Sequence, residues 1–349
     1  MTVPLIITSD QTLLDELLRL AAAAGVVPDV APDVRAGLRA WAAAPVVLLG
    51  ADLAEELAGI GPPRRGAVHI VTLSGVPDEM FRTAVMVGAQ NVAELPRSAS
   101  WVIELLSDID ESSRALTVGV IGGSGGAGAT TFACALGQVA ARDGLAVVID
   151  TDPLGPGLDR VLGMDRVEGV RWDALQQTTG RLSARSLRDA LPRRKSLGAL
   201  TWPPGPQGTL QAFAVREAMS AAQRGHTVVA VDLSRRVDPV IEEVASRCDH
   251  VFVVVQPTVA GVASTARICA RLGRDRPMSL VVRRPGIEAR EVAEVVGVPV
   301  TVEMADQRGL TESIDLGAGP VRSIRGPLGR AAARALTVAA GDDEMRISA

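Results

Sequence analysis

Tyrosine is absent from this 349-residue chain, aromatic residues make up 2% of it, and there are three histidines and three cysteines. Each scarcity narrows the reading. Cys134, Cys248 and Cys269 stand alone in apolar segments with no CxxC spacing; this argues against a disulfide framework and predicts reduced core residues of a cytosolic protein. A formal net charge of −4 supplies no global drive toward nucleic acid or anionic lipid, so nucleic acid is not the expected partner. No run of about 18 apolar residues occurs, and the opening MTVPLIITSDQTLLDELLRL lacks a basic start. Neither a membrane span nor an export signal is expected, and the protein is expected to be soluble and cytoplasmic. What the chain does have is 47% hydrophobic residues, rich in Ala, Val and Leu, with 35 glycines besides. That composition predicts tightly packed α/β layers.

A chain of this length is expected to hold more than one domain. Residues 3–8, 45–49 and 68–73 (VPLIIT, PVVLL, VHIVTL) are short β-branched runs separated by helix-like segments such as TLLDELLRLAAAAG. The alternation predicts a parallel sheet covered on both faces. The polar stretch SDIDESSRA (107–115) interrupts the pattern and places a first domain over 1–110, a linker over 111–116 and a second domain over 117–339. The last stretch, 340–349, reads as a flexible tail. The second domain restarts with LTVGVIGG, a helix over 130–142, and the strands LAVVID, HTVVAVDL, DHVFVVVQ and MSLVVRR, the makings of a doubly wound α/β unit. Between Gly163 and Gly208 the pattern is less regular, and the basic run Arg193, Arg194, Lys195 there reads as a solvated loop.

The chemistry concentrates in VGVIGGSGGAGATTFACALG, Val118 to Gly137. A phosphate-binding loop GxxxxGK[ST] surrounds phosphates with backbone N–H groups, neutralises them with lysine, and holds Mg²⁺ with Ser or Thr. Gly123 to Thr130 reads GSGGAGAT, with Ala129 where the lysine belongs; against the deviant form KGGxGKTT, Ser124 to Thr131 reads SGGAGATT, and Ser124 replaces the second lysine. The same letters satisfy GxGxxG as Gly123, Gly125 and Gly128, with Asp150 at the end of the next strand, which is a dinucleotide-binding fingerprint. A nicotinamide-dependent oxidoreductase built on it would need a proton-transfer residue, yet no tyrosine exists and His69, His226 and His250 have no motif around them. A third possibility is a glycine turn that only packs helix on strand. Asp150 and Asp152 follow the second strand and Asp232 ends a later one, the place for a Mg²⁺-linked carboxylate, although an Asp there also serves as a helix cap or turn residue.

Taken in order, SGGAGATT, VVIDTDPLGPGLDRVLG, VVAVDLSR and VFVVVQPTVAGVASTARICARL resemble the MinD/ParA group of deviant P-loop ATPases. GVRWDALQQTTGRLSARSLRDALP is similar to the CpaE/TadZ-type branch and, within it, to actinobacterial septum-site-determining proteins. The resemblance implies the fold class: an N-terminal receiver-like, flavodoxin-like α/β domain followed by a doubly wound, mostly parallel-sheet P-loop NTPase domain. It implies that Gly123, Ser124, Gly125, Gly126, Ala127, Gly128, Ala129, Thr130 and Thr131 line the nucleotide, that Thr130 and Asp232 hold Mg²⁺, and that Asp152 orients the attacking water. Where the family reads adenine with Asn in a strand-end NR, LVVRRPG offers Arg283 and Arg284, of which Arg283 is the nucleotide-binding candidate.

A working receiver needs an acidic pair after its first strand, an acceptor Asp after its third, and a late lysine. Here IITSD keeps at most Asp10, Gly50 stands at the acceptor position with Asp52 two residues beyond, and Leu95 replaces the lysine, so the resemblance implies a pseudo-receiver serving dimerisation or docking. The tail PLGRAAARALTVAAGDDEM sets only small apolar residues opposite Arg330 and Arg334 before Asp342, Asp343 and Glu344; it is a poor membrane binder, so location at a septum or pole would come through partners. The function implied is regulatory, in septum-site determination and cell division or in polar positioning of a secretion or pilus apparatus. ATP and Mg²⁺ would be bound weakly with little or no hydrolysis, and the partners would be proteins of that machinery and a second copy of the chain. The alternatives are an active Mg²⁺-dependent ATPase, in which Arg235 or Arg236 returns the missing charge, and a nucleotide-free scaffold.

Overall fold

The computed structural model describes residues 3–107, 109, 115–176, 182–205, 208–236, 238–273 and 276–347. The chain divides into two compact units, Met1–Ser112 and Ser113–Ala349. Of the expected linker, 111–114 lie outside the described residues, and Leu116 already opens a strand.

In the first unit the strands β1 (Leu5–Ile7), β2 (Asp29–Ala31), β3 (Val47–Gly50), β4 (Val68–Thr72) and β5 (Asn91–Glu94) form a parallel sheet in the order β2-β1-β3-β4-β5. This is the flavodoxin-like order of a receiver. Strand β1 is wholly buried, and alternate residues send Leu5 and Ile7 to one core and Ile6 to the other, as a sheet covered on both faces requires. The helix Gln11–Ala23 buries Leu13, Leu17 and Leu20 on one stripe and starts at Asp10, whose carboxylate accepts from the Thr12 and Leu13 amides, a side-chain N-cap.

The second unit is an eight-stranded sheet of β6 (Leu116–Gly122), β7 (Ala146–Asp150), β8 (Arg193–Arg194), β9 (Leu197–Leu200), β10 (Val228–Leu233), β11 (His250–Val255), β12 (Met278–Arg284) and β13 (Val300–Ala305), in the order β13-β12-β11-β6-β10-β7-β9-β8. All pairs are parallel except β8 with β9. The strands β6, β7, β10 and β11 are almost wholly buried, and two apolar clusters cover the two faces. Cys134, Cys248 and Cys269 are buried and free.

One expectation is corrected here. The basic run 193–195 is not a loop: Arg193 and Arg194 form the antiparallel edge strand β8, with Lys195 at φ 55° in its turn, where exposed charge guards a sheet edge. The helix Pro327–Ile347 extends into the stretch expected to be a tail, as far as residue 347. No helix among the described residues is long and apolar enough to cross a membrane.

Candidate functional site

The glycine loop joins β6 to the helix Ala129–Ala140. Its start is seated on the sheet, where the Gly123 amide donates to the Val254 carbonyl at 2.9 Å. A methyl group at Gly123 would collide with the Thr265 hydroxyl and stand 2.9 Å from Thr265 Cβ, so this position has no room for a side chain. Gly126 and Gly128 have φ of 71° and 97°, values that glycine adopts without strain. The loop thus turns back over a helix N-terminus with its backbone bare: Gly125 and Gly126 are exposed, Ala127 is buried, and Ser124, Ala129, Thr130 and Thr131 are half-buried. The Ser124 hydroxyl donates to Gln256 Oε1 at 3.4 Å. N–H groups in such a turn, with the helix dipole behind them, favour an anion.

Beside the loop, two carboxylates are buried as cross-strand partners, Asp150 on β7 and Asp232 on β10. Burial pushes Asp150 up to about 7, against bonds from the Asp152 amide and the Thr201 hydroxyl. Burial, then the Asp150 charge, pushes Asp232 up to about 8, while the Thr130 hydroxyl opposes the rise by donating to it. Neighbouring buried carboxylates cannot both ionise cheaply unless a proton or a cation compensates. The pairing of Thr130 with Asp232 at a phosphate-shaped loop therefore fits a divalent cation; bound there, Mg²⁺ would neutralise phosphate and carboxylate charge together.

Asp152 stands beside this pair, its amide donating to Asp150 Oδ1 at 3.0 Å and its charge adding to the rise of both carboxyls. Its Oδ1 accepts from the Leu154 amide at 3.1 Å, and it lines an open cleft of about 1070 Å³ with Asp159, Arg171, Trp202, Arg235 and Arg236. Arg283 comes to the other side of the loop, where it lines a pocket of about 220 Å³ with Gly126, Gly128, Thr131 and Asp306. Its guanidinium is paired with Asp306 at 3.0 Å. Asp306 follows β13, a strand with no counterpart in the sequence reading, and nothing in its local sequence marked it.

The dinucleotide reading does not suit this arrangement. In that fold the glycine-bearing strand pairs with the next strand in sequence, whereas β10 separates β6 from β7. Asp150 is 1% exposed and held by Thr201 and its own turn, not turned toward a ribose.

In the first unit, Leu95 is buried where a receiver's lysine would stand, and Asp10 is a helix cap. Asp52 reaches back from the start of the helix Ala51–Ile60 into the space above Gly50, where a methyl would lie 2.6 Å from Thr8 Oγ1 and closer still to Asp52 Oδ1. Its oxygens accept from the Thr8 hydroxyl, the Ser9 amide and hydroxyl, and the Asp10 amide at 2.8–3.2 Å. Burial works against the charge, but these four bonds outweigh it and hold the carboxyl below its ordinary value. A carboxylate so occupied is a tie between β1 and β3.

Among solved structures, the chain is similar to the ParA family ATPase from Chlorobium tepidum TLS, with a TM-score of 0.55 at 15% identity over 63% of this chain and 96% of that one. It is also similar to the septum site-determining protein MinD from Pyrococcus horikoshii OT3, solved with Mg–ADP, with a TM-score of 0.50 at 16% identity over 63% of this chain and 93% of that one. The glycine loop and the sheet that carries it therefore have the fold of the MinD/ParA ATPases, behind a CheY-like N-terminal domain. The family model of that N-terminal domain, described as Rv3660c-like and CheY-like, matches residues 7–116. The uncharacterized protein Rv3660c of Mycobacterium tuberculosis H37Rv is 34% identical over 345 residues, covering 95% of this chain and 96% of its own length. The chain belongs to the Rv3660c-like family.

Proposed function

We propose that the chain is a regulatory MinD/ParA-like protein that binds ATP and Mg²⁺ weakly and hydrolyses ATP slowly or not at all. It serves septum-site determination in cell division or the polar positioning of a secretion or pilus apparatus, as its resemblance to CpaE/TadZ-type and septum-site proteins implies. The observation that carries this reading is a loop whose backbone is shaped for phosphate while Ala129 and Ser124 leave both lysine positions without charge. Losing a charge-assisted phosphate contact lowers affinity roughly 10- to 150-fold, and losing a preorganised donor to developing charge slows a reaction about 100- to 1000-fold. Binding survives that arithmetic better than turnover. The backbone of Gly123–Thr131 would hold the phosphates, Thr130 and Asp232 the Mg²⁺, and Arg283 would border the base. Such a protein acts by docking, as a homodimer and on protein partners, with the pseudo-receiver as one docking surface.

The test is ATP turnover by the full chain and by the double variant Ser124→Lys, Ala129→Lys. Turnover near background in the wild type and a rise in the variant are expected. Vigorous Mg²⁺-dependent hydrolysis by the wild type, abolished by Asp152→Ala, would replace the regulator with an active ATPase.

A further inference from the structure

We infer that Arg235 is the phosphate-binding cation of the glycine loop, supplying from the end of β10 the charge that the lysine positions lack. Its ligand is the phosphate chain of a nucleoside polyphosphate. The inference rests on the nucleotide reading of the loop proposed above and names the residue that makes the site work.

Lys195 is the only lysine among 36 basic residues, and it sits in the β8–β9 turn at the sheet edge, while the loop strand β6 lies on the far side of β9, β7 and β10. Any cation at the loop is therefore an arginine. Strand β10 is the neighbour of β6, and three residues beyond Asp232 it delivers Arg235 across the loop. A methyl group on Gly125 would stand 3.6 Å from Arg235 Nη1 and meet nothing else within 4 Å; one on Gly122 would stand 3.5 Å from Arg235 Cδ. The side chain thus runs along the loop with its guanidinium over the exposed turn.

That guanidinium is also uncommitted. Its one hydrogen bond goes from Nη2 to the Ser264 hydroxyl at 3.4 Å, and it has no carboxylate partner among the described residues. Arg171 and Arg283, by contrast, are paired with Asp159 and Asp306 at 3.0 Å. A permanently charged planar fork with free N–H groups, facing a bare helix N-terminus, matches the bidentate geometry of phosphate. Arg236 lines the same cleft as Arg235 but is not among the atoms nearest Gly122 or Gly125, and it serves as the control of equal charge.

The experiment is calorimetric titration of the full chain and of its Arg235→Gln, Arg235→Lys and Arg236→Gln variants with Mg–ATP and, separately, with sodium tripolyphosphate. Arg235→Gln is expected to weaken both ligands roughly 10- to 150-fold, Arg235→Lys to weaken them less, and Arg236→Gln to leave them within about twofold, below the cost of a neutral hydrogen bond. Melting temperatures should match, because Arg235 is exposed. Wild-type affinity in Arg235→Gln, or an equal loss in Arg236→Gln, overturns the assignment while leaving nucleotide binding intact. A wild type that binds neither ATP nor tripolyphosphate overturns the nucleotide reading and the assignment with it.

Discussion

Replacing Asp232 with asparagine is expected to stabilise the second unit while weakening Mg²⁺-dependent nucleotide binding. Asp232 is 4% exposed, faces Asp150 across the strands and accepts from Thr130. Burial and the Asp150 charge lift its carboxyl from 3.8 to about 8. The unfolded chain ionises this group near 3.8, so from about pH 4 to about pH 8 the native state retains a proton that the unfolded state releases. Stability contributed by the protonated carboxyl is complete below the unfolded value and is lost as pH rises through that window. At pH 7 the loss is at most about 4 kcal/mol, the distance from 7 to 3.8 at about 1.4 kcal/mol per unit. Asparagine has the size of the carboxyl, has no charge to bury and can still bond Thr130. The assay is urea unfolding of the full chain in EDTA, fitted as two transitions for the two units, at several pH values. The variant-minus-wild-type difference should be near zero at about pH 4 and reach about 1–3 kcal/mol at about pH 8. Equal stabilities at the upper end, or equal pH slopes, would refute the account of the buried pair.

Three further outcomes are expected. Gly123→Ala should destabilise the second unit by about 1–3 kcal/mol through its clash with Thr265, and adding Thr265→Ala should recover part of the loss; chemical denaturation of the single and double variants checks both. His226 has its pKa lowered to about 4, chiefly by burial, and bonds the Ala222 carbonyl through Nδ1 at 3.0 Å. Its stability contribution is complete above the unfolded value of 6.5 and lost as pH falls toward 4, a loss of up to about 3 kcal/mol. The His226→Gln variant should show a flatter acid limb; this slope opposes that of Asp232, so each is read as a variant-minus-wild-type difference. Asp52→Ala should lower the stability of the first unit by about 1–3 kcal/mol by removing the carboxylate that bonds Thr8, Ser9 and Asp10, measured by thermal melting. Incubation of the wild type with acetyl phosphate should leave its intact mass unchanged, because the Asp52 oxygens are engaged; a phosphorylated product would count against the tie.

The parts of the site that are contiguous in the chain were the legible ones. The glycine loop, its strand and its helix occupy one run of residues, and the positive φ of Gly126 and Gly128 is what such a run demands. Asp150 and Asp232 were visible as acidic ends of apolar strands. The strands β2 and β5 escaped notice because they are short and partly exposed, and β9 because LGAL carries no β-branched signal. With β13 unread, the pairing of Arg283 with Asp306 had no sequence trace.

By itself the sequence determined the two α/β units, the phosphate-shaped loop and the loss of its lysines, since these depend on local pattern and on residue identity at single positions. Only the tertiary structure decided what the chemistry-bearing side chains meet: Asp52 folding back over Gly50, Asp232 set against Asp150, and Arg235 laid along the glycine loop. Each of these depends on which strands become neighbours and where a side chain turns at a strand's end. Those are outcomes of packing between segments far apart in the chain, and no short stretch of residues encodes them.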